Sequence, residues 1–324
     1  MKATNVWKSR SRRILRPSEI ASVASLLVLI ITFGVLSKGL FLSARNVSSV
    51  LSIFAEQGFL VLGVTILLIS GEIDVSVGST YGLAALVFTI LSRDTPGVLA
   101  FLGGLACALV VGLINGYIRT HFQVPSLIVT LGMLFTLRGI IYFVTQGFPR
   151  TLTRDAFTCV LAAPIFGHFR ISILWLLMGA AVFHILLNHT SYGNHVFAVG
   201  NNRELARMMG IKVERVLLTN FLLCSLMAGV AGMISASRLG TVVAGHGEGF
   251  ELIAIAGSVI GGTLLTGGFG TVLGALAGAL LLASLRSGLL LSGVPGFWYI
   301  AFVGIVLIIA SIFNMEIVRR WLTR

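Results

Sequence analysis

The chain has 324 residues, of which 56% are hydrophobic and only 10% are charged, and its formal net charge is +12. A soluble domain of this length would carry about 25% charged residues, so the composition excludes a water-soluble protein and predicts one integral membrane domain. In such a protein, a positive net charge indicates orientation in the bilayer rather than binding to nucleic acid.

Apolar runs recur from end to end of the chain. A transmembrane helix needs about 20 apolar residues to cross the hydrocarbon core of a bilayer. On this basis we predict an all-α, polytopic integral membrane protein with about ten transmembrane helices. Their approximate bounds are 20–37, 47–69, 77–91, 98–118, 125–144, 171–188, 215–237, 251–265, 271–290 and 297–313.

Basic residues set the predicted orientation of these helices, because lysine and arginine collect on the cytoplasmic side. Residues 1–19 form a basic segment before the first helix, and residues 314–324 form a basic tail after the last one. Both termini are therefore predicted to be cytoplasmic, which an even number of spans allows. The region between them, 20–313, is predicted to be a single transmembrane domain.

The stretch SGEIDVSVG, residues 70–78, places two acids and two glycines between two apolar runs. Carboxylates inside a membrane domain are costly, and they usually line a polar cavity or pair with a cation. Three interpretations stay open: Glu72 and Asp74 bind a coupling cation, contact a polar solute, or cap the next helix. The capping interpretation rests on Asp74 and Ser76, since oxygens just before a helix accept hydrogen bonds from its free N–H groups.

Glycine interrupts a second apolar run at residues 261–270, which read GGTLLTGGFG. The two breaks do not match residue by residue, so an internal repeat has little support. Other glycines recur at the spacing that lets membrane helices approach closely. We interpret these as packing residues: Gly112 with Gly116, and Gly270 with Gly274 and Gly278.

No pattern typical of a catalytic, cofactor or metal site occurs in the sequence. GxxxxGK[ST], HExxH, CxxC and GxSxG are all absent, so a P-loop ATP site is excluded from this chain. His184 and His189 lie five positions apart, which predicts different faces of a helix and argues against a shared metal. Arg138, in LFTLRGIIYF, is predicted either to snorkel toward water or to pair with an acid that the sequence does not identify.

One polar segment, AVGNNRELARMMGIKVERV at residues 198–216, lies between two predicted spans on the cytoplasmic side. Arg203 and Arg207 recur at helical spacing, and Leu205, Met208 and Met209 fall near one another on such a helix. A short amphipathic helix at this place is typical of a docking element for a partner protein. A solvated loop without a partner is the alternative interpretation.

Four stretches of the chain carry a family likeness: SGEIDVSVGS; GLINGYI followed by VPSLIVTLGML; AVGNNRELARMMGIKVERV; and ASRLG followed by ELIAIAGSVIGGTLLTGGFGTVLGALAGALLL. They span most of residues 60–310. Together they resemble the membrane permeases of ABC sugar importers of the ribose, xylose, arabinose and galactose type. These permeases are related more distantly to branched-chain amino acid permeases.

The resemblance implies a multi-pass permease in the bacterial inner membrane, surrounded by lipid, that moves a monosaccharide or related polyol inward. It implies three protein partners: a second permease copy, identical or homologous; ABC ATPase subunits, which supply the missing P-loops; and a periplasmic solute-binding protein. No cofactor, metal, catalytic residue or nucleic acid is expected. Since ATP drives such importers, the resemblance disfavours a cation site at Glu72 and Asp74.

The resemblance also implies roles for individual residues. Residues 198–216 correspond to the segment that docks on the ATPase, and there we expect Asn202, Arg203, Glu204, Arg207, Gly210 and Ile211 to couple the two proteins. Glu204 and Leu205 stand where the family has small residues. Along the translocation path or its helix breaks we expect Glu72, Asp74, Ser76, Asn115 and Glu251. Ile253 departs from the pattern, because this chain reads ELIAIA where the family usually reads ELDAIA.

Two other functions stay open from the sequence. A cation-coupled secondary transporter would use the acids of the first break and would need no ATPase. A membrane scaffold or receptor subunit would bind partners without moving a solute. The sequence does not identify the sugar or the substrate contacts, and it does not distinguish a homodimer from a heterodimer of permeases.

Overall fold

The structure is a computed structural model that describes the backbone of residues 17–322. Most of the predicted basic segment 1–19, and the side chains of the predicted tail 314–324, lie outside the described residues. Within the described part the chain is almost entirely helical, which confirms the predicted all-α class.

The helices follow the predicted spans closely. In chain order they are α1 Pro17–Leu36, α2 Ala44–Ile69, α3 Val77–Leu91, α4 Gly97–His121, α5 Ser126–Thr145, α6 Ala156–Ala162, α7 Ser172–His189, α8 Ser191–Asn201, α9 Arg203–Met208, α10 Val213–Leu239, α11 Phe250–Ile260, α12 Val272–Leu291 and α13 Trp298–Leu322. A helix occupies each predicted span. The span predicted at 251–265 ends earlier, at Ile260, because Gly261 and Gly262 begin a turn there.

Four short strands form two antiparallel pairs in the connecting segments. Strand β1, Arg150–Thr151, pairs with β4, Thr241–Val242. Strand β2, Pro164–Phe166, pairs with β3, Phe169–Arg170, as a small hairpin that follows α6. The β1–β4 pair joins the connection between α5 and α7 to the segment that follows α10, so this connection is an ordered cap on one end of the helices.

Among the described residues, six helices are long and apolar enough to cross a membrane: α2, α4, α5, α7, α10 and α12. Four shorter apolar stretches accompany them, in α1, α3, α11 and α13. Helix α3 has 15 residues and α11 has 11. At 1.5 Å per residue, these two helices span about 22 Å and about 16 Å, less than the roughly 30 Å hydrocarbon core. Each of them follows a non-helical segment, 70–76 before α3 and 240–249 before α11.

Helices α2 and α10 form the centre of the helical bundle. In α2, 94% of the apolar window is buried, against 22% in α5 and 28% in α7. The outer helices turn large apolar side chains outward, among them Phe135, Phe143 and Ile185. An apolar exterior around a buried centre is the arrangement that lipid-facing helices require.

Glycine sets the closest helix crossings, as the sequence predicts. A Cβ at Gly278 of α12 would overlap the carbonyl oxygen of Gly257 in α11, and one at Gly274 would overlap the Gly261 carbonyl oxygen. Gly112 and Gly116 of α4 lie equally close to α10. In lipid, helices associate by close van der Waals packing rather than by the hydrophobic effect, so these contacts hold the bundle together.

Candidate functional site

The break between α2 and α3 is an extended segment, 70–76, buried inside the bundle. Its backbone N–H groups find partners on α5, because no water is present at this depth to satisfy them. Ile73 donates its N–H to the Ser126 hydroxyl at 3.3 Å, and Val75 donates to the Thr130 hydroxyl at 3.2 Å. The polar residues at the start of α5 therefore fix the path of the break.

Glu72 is the electrostatic centre of this break. It is only 2% exposed, and one carboxylate oxygen accepts a hydrogen bond from Arg119 Nε at 2.7 Å and forms an ion pair with Arg203 Nη2 at 2.7 Å. Arg203 also donates to the carbonyl oxygen of Gly71 at 3.1 Å. Arg119 ends α4 and Arg203 begins α9, so a single buried acid joins three parts of the chain.

Asp74 and Ser76 make a second, local set of contacts. One Asp74 oxygen accepts from the backbone N–H of Ser76 at 2.7 Å and from its hydroxyl at 2.6 Å. Asn115 of α4 donates to the Ser76 hydroxyl at 2.9 Å. These side chains precede α3, but neither makes the side-chain cap on the helix's first turn that the sequence suggested. Within the described residues, Asp74 Oδ2 and Asn115 Oδ1 are buried without a partner.

A second non-helical segment, 240–249, follows the end of α10 and consists of a two-residue strand and then turns. Arg138 of α5 donates to the carbonyl oxygen of His246 at 2.9 Å, and the Tyr81 ring of α3 stacks on the His246 ring at a centroid distance of 5.0 Å. The polar partner of Arg138 is thus a backbone carbonyl on a distant segment. Sequence reasoning had no means to identify it.

The first turns of α3 and α11 meet inside the bundle. A Cβ at Gly78 would overlap both Glu251 Oε2 and the carbonyl oxygen of Gly247. Glu251 therefore lies against the first turn of α3, the helix that follows Asp74 and Ser76. Among the described residues, Glu251 Oε2 has no hydrogen-bond partner. Two broken helices whose first turns meet at depth are an arrangement that transporters use to handle polar solutes.

Residues 198–216 contain the predicted short helix. Asn202 caps α9 by accepting at 3.0 Å from the N–H groups of Glu204 and Leu205. Gly210, at φ 81°, turns the chain after the helix, and Ile211 donates its N–H to the Ala206 carbonyl at 3.0 Å. The central part of this segment is therefore a short helix rather than an irregular loop.

The two faces of α9 differ in character. Ala206 is fully buried, and Arg203 reaches inward to Glu72. Three large apolar side chains turn outward: Leu205, Met208 and Met209, with Met208 82% exposed. Arg207 forms an ion pair at 2.7 Å with Glu214, and both side chains are about half exposed. The helix is thus held to the bundle by Arg203 on one face and exposes apolar side chains on the other.

The glycine-rich turn at 261–270 packs against the same end of the bundle. Gly268 donates its N–H to the Ile69 carbonyl at the end of α2, at 2.8 Å. A Cβ at Gly200 of α8 would overlap the same carbonyl oxygen, and one at Gly268 would crowd Asn201. The second break is therefore a neighbour of the segment 198–216 rather than a partner of the first break in a repeat.

Sequence reasoning missed two arginine contacts. Arg119 was not identified as the partner of Glu72, although a buried Glu72 requires a cation nearby. Arg238, at the end of α10, holds the buried Glu56 of α2 through two hydrogen bonds, at 2.5 and 3.1 Å. Glu56 lies in the middle of an apolar run, so a search for lone acids in predicted spans would have found it.

The prediction that His184 and His189 lie on different faces is wrong. Their ring centroids are 5.9 Å apart, because His189 is the last residue of α7 and lies where the regular helix ends. The described residues contain no group of three or more histidine, cysteine, aspartate or glutamate side chains that could hold a metal ion. Two neighbouring histidines alone do not make such a site.

Comparison with known proteins decides the family. Residues 46–311 match the family described as the permease component of branched-chain amino acid transport systems. The chain belongs to this permease family. It is accordingly a multi-pass membrane permease, and the break at 70–76, the segment 198–216 and Glu251 all lie within the matched region.

Several curated permeases are similar to the chain along almost its whole length. The ribose import permease protein RbsC of Escherichia coli (strain K12) is 33% identical over 303 residues, covering 90% of this chain and 92% of RbsC. The xylose transport system permease protein XylH of the same strain is 32% identical, covering 89% of each chain. The probable ABC transporter permease protein YphD, also of this strain, is 33% identical over 304 residues, covering 94% and 91%. No solved structure matches the chain.

Proposed function

We propose that the chain is the permease subunit of an ATP-driven importer that carries a monosaccharide or a related polyol across the bacterial inner membrane. The observation that carries this proposal is the buried Glu72 carboxylate, which forms ion pairs with both Arg203 of α9 and Arg119 of α4. The similarity to permeases named for ribose and xylose supports the solute class.

In the proposed topology, all ten apolar helices cross the bilayer and both termini are cytoplasmic. The three short helices, α6, α8 and α9, then lie outside the membrane core. Segment 198–216 follows an even number of crossings in this topology and carries Arg203, Arg207, Lys212 and Arg215, which supports a cytoplasmic position for α9. The β-strand pairs and α6 then lie on the opposite, external face.

The proposed complex contains two permease copies, ABC ATPase subunits and a periplasmic solute-binding protein. The sequence has no P-loop, so ATP must be hydrolysed on a separate chain. The outward face of α9, with Leu205, Met208 and Met209, offers the apolar contact surface for that chain. Met side chains adapt to an irregular groove, which suits a helix that docks into a partner.

The proposed mechanism is a linkage between α9 and the two broken helices. Closure of the ATPase dimer displaces α9, and the ion pair from Arg203 to Glu72 passes that displacement to the break before α3. Because α3 begins against α11, a shift of the break changes the junction that includes Asp74, Ser76, Asn115 and Glu251. ATP thereby selects the side of the membrane to which the path opens.

The geometry argues against a cation-coupled transporter. Glu72 itself is not available to bind a coupling cation, because two guanidinium groups already neutralise it. One oxygen of Asp74 is held by Ser76. A non-transporting scaffold, in turn, gives no reason for two broken helices that meet inside the bundle.

The proposal is tested by reconstitution with the native partners. The tagged full chain is isolated from its own membranes in mild detergent, and the co-purifying proteins are identified by mass spectrometry. The complex is then placed in proteoliposomes, and ATP hydrolysis and uptake of labelled ribose, xylose and galactose are measured with and without the binding protein.

We expect an ATPase of the sugar-importer type to co-purify, and we expect the binding protein to stimulate hydrolysis and uptake. Uptake that follows a sodium or proton gradient without ATP would support the cation-coupled transporter instead. Isolation without any ATPase, when a control ABC complex survives the same detergent, would overturn the proposal.

A further inference from the structure

A polar cavity of about 390 Å³ lies at the end of the bundle opposite α9. It opens where α2 begins, where α10 ends and beside the β2–β3 hairpin. Its lining residues are Arg45, Ser48, Ser49, Ser52, Ile53, His168, Arg170 and Arg238. The coupling segment and the junction of α3 with α11 use none of these side chains.

The cavity carries more positive charge than its surroundings neutralise. Glu56 holds Arg238 through two hydrogen bonds, so this acid compensates one of the three guanidinium groups. Within the described part of the chain, Arg45 has no ion-pair or side-chain hydrogen-bond partner, and Arg170 donates only to the Ala162 carbonyl, at 2.7 Å. Among the described residues, neither of these two guanidinium groups forms an ion pair.

The pKa of Arg170 supports an excess of positive charge in the cavity. Burial, and then the neighbouring Arg238 guanidinium, lowers the pKa of Arg170 below its ordinary value, and Arg154 adds to the effect. Glu56 acts in the opposite direction but does not cancel the shift. Cations crowded together in a partly desolvated cavity are stabilised by an anion that binds between them.

The serine hydroxyls add a second recognition element. Ser52 donates to the Ser48 carbonyl at 2.8 Å, Ser49 donates to the Arg45 carbonyl at 3.1 Å, and Ser48 donates to the His168 carbonyl. Each hydroxyl has thus used its single proton, and its oxygen lone pairs are left as acceptors. Such oxygens accept hydrogen bonds from hydroxyl groups of a ligand.

We infer that this cavity binds a small hydroxylated oxyanion, namely a sugar-sized molecule that carries a carboxylate or phosphate group. The arginines donate to the oxyanion in the fork geometry that guanidinium groups provide, and the serine oxygens accept from the ligand's hydroxyls. The inference rests on the proposed function, which places the cavity on the external face where the solute arrives. It deepens that function by naming an acidic sugar, rather than a neutral one, as the solute class.

The test measures binding to the full chain in lipid nanodiscs. Labelled galacturonate is the carboxylate probe, ribose 5-phosphate is the phosphate probe and galactose is the neutral match. Arg45→Gln and Arg170→Gln each remove one uncompensated charge. Arg93→Gln is the matched control, because Arg93 is exposed near the same end of the bundle but does not line the cavity. Thermal unfolding confirms that each variant is folded.

We expect at least one acidic probe to bind about tenfold or more tightly than galactose, as one charged hydrogen-bonded contact would give. We expect R45Q and R170Q each to weaken that probe by about tenfold and to leave galactose unchanged, and R93Q to have no effect. Added salt weakens the acidic probe alone.

Equal binding of acidic and neutral probes, or unchanged binding of the acid to R45Q and R170Q, would overturn the inference. It is also wrong if no free acid binds but R45Q and R170Q weaken association with the solute-binding protein, because the cavity then receives carboxylates of that protein. An ATPase complex that imports only neutral sugar refutes the acidic ligand and leaves the proposed function intact. Binding of an acidic probe to a chain that recruits no ATPase supports the acidic ligand and refutes the proposed function.

Discussion

Glu72 and Arg203 lie 2.7 Å apart, and this ion pair joins the buried break between α2 and α3 to the short helix α9. The acid is almost completely buried, whereas the arginine belongs to a helix whose other face is exposed. A contact between the interior and a docking helix is what a permease needs if a partner outside the membrane is to move its path.

We expect Glu72→Gln to destabilise the chain by about 3 kcal/mol, because two partly buried guanidinium groups lose their counter-charge. Glutamine keeps the size of the side chain, so the change isolates the charge. The measurement is thermal unfolding of the purified chain in detergent. Glu214→Gln is the matched control: Glu214 and Arg207 form a half-exposed pair, which contributes at most about 1 kcal/mol. Equal losses in both variants would contradict the central role of Glu72.

We expect Met208→Ser to weaken association with the ATPase by about tenfold or more, since an exposed apolar anchor at an interface contributes about 2 kcal/mol. The fold is unaffected, because the Met208 side chain is exposed in the isolated chain. Leu239→Ser is the control, as Leu239 is half exposed at the opposite end of the bundle. The permease in nanodiscs is immobilised on a surface, and the affinity of the ATPase for it is measured. A matching loss from L239S, or none from M208S, would argue against docking at α9.

We expect Gly278→Ala to destabilise the bundle by about 1–3 kcal/mol, because the added Cβ overlaps the Gly257 carbonyl oxygen and forces α11 away from α12. Gly132→Ala is the matched control. Both positions lie within membrane helices, but a Cβ at Gly132 meets nothing within 4 Å. Alanine at position 132 is therefore expected to be neutral or slightly stabilising. The unfolding midpoints of the two variants in detergent decide between these outcomes.

The cap formed by the connection between α5 and α7 carries a pH dependence that can be assigned to one acid. Asp155 begins α6 and accepts at 2.8 Å from the N–H of Thr158 and at 2.7 Å from the N–H of Gly97 at the start of α4. The backbone hydrogen bond from Thr158, followed by that from Gly97, holds the pKa of Asp155 below its ordinary value of 3.8. The ionised form is therefore bound more tightly in the folded cap than in the unfolded chain.

For an acid whose pKa is lower in the folded chain, the stabilisation is complete above the unfolded-state pKa. It is lost as pH falls through the folded-state pKa. We expect hydrogen exchange in residues 150–162 to be slow at neutral pH and to accelerate as pH falls below 3.8, after correction for the intrinsic rate. In Asp155→Asn the exchange is faster at neutral pH and loses this acid dependence. If D155N shows the same pH dependence of hydrogen exchange as the wild-type chain, the effect belongs to a group other than Asp155.

The positions of the helices could be predicted from the sequence, because long apolar runs bounded by polar residues have few alternatives in a bilayer. The short helix α9 was predictable for a related reason, since Asn202 supplies a cap and Leu205, Met208 and Met209 share a spacing. In both cases the information is local. It lies within one helix and its flanking residues.

The partners of the buried polar groups were not predictable, because they come from distant parts of the chain. Arg138 meets the carbonyl of His246, which lies 108 residues away, and Arg238 meets Glu56 across 182 residues. One sequence gives no direct information on such pairs. The same limit explains why the junction of α3 with α11 emerged only from the fold, although Asp74 and Glu251 were each identified as candidate path residues.

Ile253 is the position at which this chain departs from the pattern ELDAIA, and the structure gives the reason that a carboxylate does not suit it here. The side chain is 8% exposed and belongs to an apolar cluster with Phe33, Phe41, Leu281 and Leu285. This cluster packs α11 against α1 and α12 on the side away from the α3 junction. Ile253 therefore acts in packing rather than along the proposed path.

We expect Ile253→Asp to lower the unfolding free energy by more than about 4 kcal/mol, because it removes apolar contacts and buries an uncompensated carboxylate. Ile253→Leu, which keeps the volume, is expected to cost less than about 1.5 kcal/mol. Ile253→Asn separates the two causes, since it removes the same contacts without a charge. If I253D is as stable as I253N, the carboxylate has reached a cation or water. Position 253 would then be open to the polar path, as the family pattern implies, and its assignment to the apolar core would be wrong.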